Sequence, residues 1–163
     1  MGSIVEVCRG AVRVVVAGPL SVSGVTLDAV DVSAEAVAKV PGANLRVSRA
    51  EFGALWAFAE HLASRPGPDD GFLVGVVFTC RWLAAQPVWS DLIRRAEMPT
   101  APLTGRQHAA MPETVEAELV SAAAAAARLG IRADLARGVV ATLTWAWRGT
   151  ESAPLDVPHA AAS

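Results

Sequence analysis

Few residues in this chain stand at spacings that do chemistry. The histidines are His61, His108 and His159, each separate from the others in sequence. No HExxH, no CxxC and no paired His/acid spacing accompanies them, so neither a metal ion nor another cofactor is expected. Cys8 and Cys80 are isolated thiols and read as two buried, reduced cysteines. Cys80 and His61 fall on successive helices, as a nucleophilic dyad would need. The apolar run around Cys80 raises a thiol pKa and quenches that reactivity. Asp69 and Asp70 read as helix caps rather than as paired acid–base carboxylates. No nucleophile elbow, P-loop or dinucleotide fingerprint is present. A non-catalytic protein is therefore the favoured reading, and an enzyme the lesser one.

The side chains left for recognition are arginines and tryptophans. Arg94, Arg95 and Arg106, with His108, form a small basic cluster on a long proline-bounded connection, residues 87–111. Planar guanidinium forks of that kind suit an acidic partner peptide or a phosphate. Trp89 stands on the same connection. Trp147 follows Trp145 by two positions, so on an α-helix the two indoles point about 200° apart and cannot both face one core. Tryptophan is enriched at binding hot spots. Trp89, Arg94, Arg95, Arg106 and Trp147 are thus the candidate binding residues. A rival pocket, between a β layer and the helices, would use His61, Asp70 and Arg81. Arg81 is the lone charge within the most apolar helix, and a salt bridge to a buried acid is its simplest explanation.

Composition narrows the partners. The chain has 163 residues, 53% of them hydrophobic, and a formal net charge of −2. Lys39 is its only lysine; the other basic residues are arginine, as in a GC-rich genome. No arm concentrates positive charge, which argues against nucleic acid and against an anionic membrane surface. The apolar run of residues 71–80 is about half the ~20 residues of a spanning helix. Residues 1–16 carry Glu6, Arg9 and Arg13 within their apolar run, unlike a secretory leader, so a cytoplasmic location is expected.

These side chains need elements to position them. Residues 4–47 read as strands and turns, with β-branched runs at 11–17 and 20–27 and a short strand at most at 45–47. A short helix from Ser33 is one option within the ambiguous stretch 30–40. Ser48 and Glu51 spell a capping box before a helix whose stripe is Phe52, Leu55, Trp56, Ala59, Leu62 and Ala63; Glu51, Glu60 and Arg65 fall off that stripe. Asp69 or Asp70 caps the next helix, which is apolar nearly all round and should be central to the core. Residues 90–97 read as a short helix capped by Ser90. Pro112 opens a third long helix with Glu113, Glu116 and Glu118 near its start and six alanines, 122–127, near its end. Gly130 stops it, and a fourth helix runs to Gly149.

One pattern organises these elements. Residues 75–82 (GVVFTCRW) recur as residues 138–145 (GVVATLTW), with five of eight positions identical. An Ala-Pro-Leu triplet follows each copy, at 101–103 and at 153–155. An interior helical glycine costs ~1 kcal/mol relative to alanine, and close helix approach is a physical reason to keep one. The spacing predicts two helices crossing near Gly75 and Gly138.

The expected fold is α+β: an N-terminal β-meander of three or four short strands, then four main helices in two pseudo-repeated hairpins. The expected organisation is one domain over 1–155, with a β layer at 1–47, a first hairpin with its inserted loop at 48–103, a second at 112–155, and a flexible tail at 156–163. The expected function is an accessory, immunity or antitoxin-like protein that binds another protein or itself. The alternative is a small-molecule or anion-binding protein.

Overall fold

The computed structural model describes residues 6–8, 11–13, 20–22, 25–27, 32–65, 70–85, 88–90 and 95–158. Its body is helical. Among the described residues there are five α-helices: α1 Ala34–Ala38, α2 Arg49–Ala63, α3 Gly71–Leu83, α4 Pro112–Ala126 and α5 Ile131–Leu143. A 3-10 turn, Gly42–Asn44, follows α1, and α5 runs on into a π-helical turn, Thr144–Arg148.

The helix boundaries follow local chemistry. Ser33 caps α1 by accepting from the Ala36 amide. Ser48 and Glu51 form the expected capping box, with Ser48 Oγ accepting from the Glu51 amide at 3.1 Å and the Glu51 carboxylate accepting from the Ser48 amide at 3.0 Å. The Ser48 hydroxyl and amide hold the Glu51 carboxyl below the usual carboxylate range. Asp70 accepts from the Leu73 amide and starts α3. Pro112 occupies the first turn of α4. Gly149, at φ 67°, closes the π-helical turn in the left-handed conformation that glycine tolerates.

α3 lies at the centre. Ten of its thirteen residues are buried, which matches its lack of a polar face. It packs against α2 on one side and α5 on the other, and α5 packs against α4. The approach of α3 to α5 is unusually close. A Cβ added to Gly75 would lie 2.2 Å from the Leu135 carbonyl oxygen, and one added to Gly138 would lie 2.1 Å from that of Phe72. The Val139 and Val76 amide nitrogens follow, each at 3.1 Å. Phe72 and Leu135, and Val76 and Val139, share the 63-residue offset of the two glycines. The contact therefore maps onto itself when the helices are exchanged. The Thr79 and Thr142 hydroxyls donate to the Gly75 and Gly138 carbonyls at 2.7 and 2.8 Å, one turn past each crossing point. The crossing at matching glycines stands as the spacing predicts.

The β-meander does not. The extended segments at the N-terminus are three-residue pairs, Glu6–Cys8 with Ala11–Arg13 and Leu20–Val22 with Val25–Leu27, each joined only to its own neighbour. Among the described residues no ladder links one pair to the next, so the α+β class is replaced by a helical one. β-propensity reports fit to a packed, pleated surface, and two-stranded pairs of this size do not build one. Residues 34–38 and 42–44 of the supposed β layer are helical. Residues 45–47 form no strand either; the Arg46 amide donates to the Ala146 carbonyl at 2.7 Å, so this segment crosses the end of the π-helical turn. Gly149 leaves room for it, since a Cβ there would sit 3.0 Å from Arg46 Cβ. The helix expected at 90–97 is also absent. Val88–Ser90 instead pairs antiparallel with Arg95–Glu97. A helix of only two turns is marginal in water, and a single cap does not rescue it.

Gly75→Ala and Gly138→Ala each drive a methyl group into a backbone carbonyl. Each is expected to cost at least ~2 kcal/mol despite alanine's better helix propensity. Urea denaturation of the two variants checks this, and wild-type midpoints for both would refute the close approach.

Candidate functional site

A cleft of about 380 Å³ opens between residues 101–108 and the first turns of α4. Trp82, Ala101 and Ala117 form its apolar part, and Arg106, His108 and Glu113 bring charge and a ring nitrogen to it. The loop is held in place by the helices beneath it. Glu118, buried on α4, accepts from the amides of Leu103 and Thr104 and from the Thr104 hydroxyl, the last at 2.7 Å. Trp82 Nε1 on α3 donates to the His108 carbonyl at 2.8 Å. Within the loop, the Gly105 amide donates to the Ala101 carbonyl and the Ala101 amide to the Arg106 carbonyl. Gly105, at φ 67°, supplies the left-handed residue of this turn. The loop is thus clamped at 103–104 and at 108, and between the clamps it presents Arg106. Among the described residues the Arg106 side chain makes no hydrogen bond or ion pair.

The structure brings Arg106 and His108 to one cleft, as their clustering in sequence suggests. The other recognition candidates divide. Trp89 stands opposite Ala96, and Arg95 opposite Ser90, in the extended pair. Arg94 lies outside the described residues, as do Asp69 and His159. Trp145 is buried, its ring stacked on Phe52 at a centroid distance of 6.3 Å. Trp147 is half-buried at the margin of the core, and its Nε1 is buried without a partner.

The rival pocket around His61, Asp70 and Arg81 is not assembled. Arg81 Nε and Nη2 donate to the two oxygens of Glu60, both at 2.8 Å, and Trp56 Nε1 donates to the same carboxylate at 3.0 Å. This is the buried ion pair that the apolar setting of Arg81 predicts. Asp70 caps the opposite end of α3, eleven positions and about 16 Å along the helix axis. His61 Nε2 meets an Arg65 guanidinium nitrogen at 2.7 Å on its own helix. Among the described residues, the N-terminal strands form separate two-stranded pairs and no continuous β layer.

Cys80 is fully buried beside the ion pair. Burial pushes its thiol far above the ordinary range and the Glu60 carboxylate adds to the rise, while Arg81 opposes it. A nucleophilic role is chemically closed to it. Among the described residues, no group of three or more His, Cys, Asp or Glu side chains could hold a metal ion. No helix among them is long and apolar enough to cross a membrane.

Sequence reasoning missed Glu60 and Glu118. Glu60 falls off the apolar stripe read from the sequence, yet it lies one turn after Trp56 and is buried. Glu118, with Glu113 and Glu116, reads from the sequence as a partner of the helix dipole. It falls one turn from Val115 and Ala122, on the buried stripe. A carboxylate on an apolar stripe is the signal that identifies both. Comparison with family models, curated proteins and solved structures finds no match for this chain.

Two outcomes are expected. Glu118→Ala removes the common acceptor of three donors; hydrogen bonds to a charged group are worth about 1.5–3 kcal/mol each, so amide exchange at Leu103 and Thr104 should quicken by at least tenfold. Unchanged protection there would show that the loop is held some other way. In a Cys8→Ser background, Cys80 should resist an aromatic disulfide reagent until the chain is unfolded in denaturant. Stoichiometric labelling of the native protein would contradict its burial.

Proposed function

We propose that this is a small cytoplasmic, non-catalytic interaction protein, accessory, immunity or antitoxin-like in kind. It docks a partner protein through the loop of residues 98–111, and the partner contributes an acidic side chain to the cleft. The observation that carries this reading is the unpaired Arg106 guanidinium on a loop clamped by Glu118 and Trp82. A recognition loop that is already ordered loses little conformational entropy on binding. An arginine fork without an internal partner is suited to receive a carboxylate. Met98 and Met111, both more than half exposed, stand at the two ends of the loop. Their flexible thioethers supply adaptable apolar contact around a central charge. Trp89 and Arg95, in the extended pair just upstream, would enlarge the surface.

A second reading is favoured by the volume of the same cleft. About 380 Å³ falls within the range of small-ligand sites, so a small anionic metabolite could take the place of the partner's carboxylate.

The two readings part in one experiment. Tagged protein recovered from its native host should carry a protein partner, and Arg106→Ala should release that partner while leaving the melting temperature unchanged. A panel of anionic metabolites should leave the wild-type melting temperature unmoved. Partner capture indifferent to Arg106→Ala, with Trp89→Ala equally silent, would refute the docking loop. A metabolite at 100 times its dissociation constant would add ~2.7 kcal/mol of stability and select the second reading.

A further inference from the structure

The outward face of α4 is apolar. The helix buries Val115, Glu118, Leu119 and Ala122. At 100° per residue, the positions diametrically opposite are 113, 117, 120, 124 and 127. All five are exposed. After Glu113 they read Ala117, Val120, Ala124 and Ala127; Glu113 and Ala117 lie where this face meets the rim of the cleft, and Val120, outside the cleft, is 62% exposed. A solvent-facing helical surface is normally polar or charged. The helix at the matching place, α2, begins and ends 63 residues earlier, and its corresponding face is exposed at Ala50 and Ala54 but closes toward its C-terminal half. Ala57, the counterpart of Val120, packs at the margin of the core, and α1 lays Val37 beside that face, against Gly53, the counterpart of Glu116. Among the described residues, α4 has no counterpart of α1.

We propose that a second copy of this chain covers this face, with the two α4 helices pairing antiparallel about Val120. Charge fixes both the partner and the direction. The N-terminal end of α4 carries Glu113 and Glu116; the exposed Arg128 and Arg132 lie beyond its C-terminal end. Glu116 is already engaged by Arg148 at 2.6 Å. Glu113 and Arg128 make no side-chain hydrogen bond or ion pair among the described residues. In an antiparallel pair centred on Val120, Glu113 stands opposite position 127 of the other copy, one residue from Arg128. The pair forms twice by symmetry. A parallel pair would set acid against acid and arginine against arginine. Antiparallel helix dipoles add to the same preference. The alanines let the axes approach to the lower end of the usual ~8–10 Å range. The stripe is about 22 Å long and roughly 10 Å wide, well below the ~800 Å² that a standard interface covers on each partner. Association is therefore weak, reversible and dependent on concentration.

Sedimentation equilibrium of the full chain tests this from micromolar to near-millimolar protein. At low ionic strength the mass should rise from 16.9 kDa toward twice that value, and high salt should weaken the rise. Val120→Glu alters only an exposed position. It should keep the wild-type melting temperature in dilute solution and the monomer mass at every concentration. Arg128→Glu should weaken association by roughly tenfold, because two exposed pairs are lost together. Adding Glu113→Arg to that variant should restore it. A wild-type mass that stays at the monomer value overturns the proposal. So does Val120→Glu protein that self-associates like wild type, or a charge swap that fails to restore association. Self-association that vanishes with Arg106→Ala but survives Val120→Glu would assign the contact to the docking loop and also overturn it.

Discussion

The backbone-to-backbone contact of α3 with α5 sets the terms for everything around it. Two helices whose carbonyls and amides lie this near each other leave no space for a side chain at the crossing point, so glycine is required on both. Reciprocity is what makes the contact informative. Gly75 meets Leu135 and Val139, while Gly138 meets Phe72 and Val76. Once α3 and α5 are locked, α2 and α4 are obliged to pack on their outer sides, and the connections must travel over the surface. The cleft is a by-product of that arrangement: a loop returning over the end of α3 must pass the start of α4.

Two buried carboxylates then complete the structure in different ways. Glu60 joins α2 to α3 by accepting from Arg81 and Trp56, so that the one charge inside the central helix is neutralised where it lies. Glu118 works outward from the core. It takes no cation, and its charge is met by backbone amides and a hydroxyl of the 103–104 turn. One acid joins helices and the other immobilises a surface loop. In both cases the low dielectric of the interior strengthens the hydrogen bonds that the acid accepts.

The helices were legible because their signals are local and mutually consistent. Ser48 with Glu51, Asp70, Pro112, Gly130 and Gly149 punctuate the chain where the helices begin and end. The α3–α5 crossing was legible because a repeated glycine inside a helix has few physical justifications. The N-terminal region was misjudged for the opposite reason. Runs of valine and threonine state a preference for extended backbone but do not say what the strand will pair with. At 90–97 the serine cap signals a helix, but the segment is too short to hold one. In the cleft, Arg106 and His108 were visible as a basic cluster. Their setting was not, because it depends on Glu118 and Trp82, whose partners in the loop lie 14 and 26 positions away in sequence. The burial of Glu60 is within reach of a helical wheel, since it follows Trp56 by one turn, but its polarity sets it off the apolar stripe.

The crossing also has a temporal side. Gly75 touches a residue that emerges sixty positions later during synthesis. At about 5–20 residues per second, α3 waits roughly 3–12 s on the ribosome before its partner helix exists. Throughout that interval α3, the most apolar of the described helices, has α2 as its only long helical neighbour among the described residues, and the flank that will receive α5 stays open to water. Exposed apolar surface of this kind is what makes a nascent chain prone to aggregate, and it is covered only once the helix bearing the second glycine arrives.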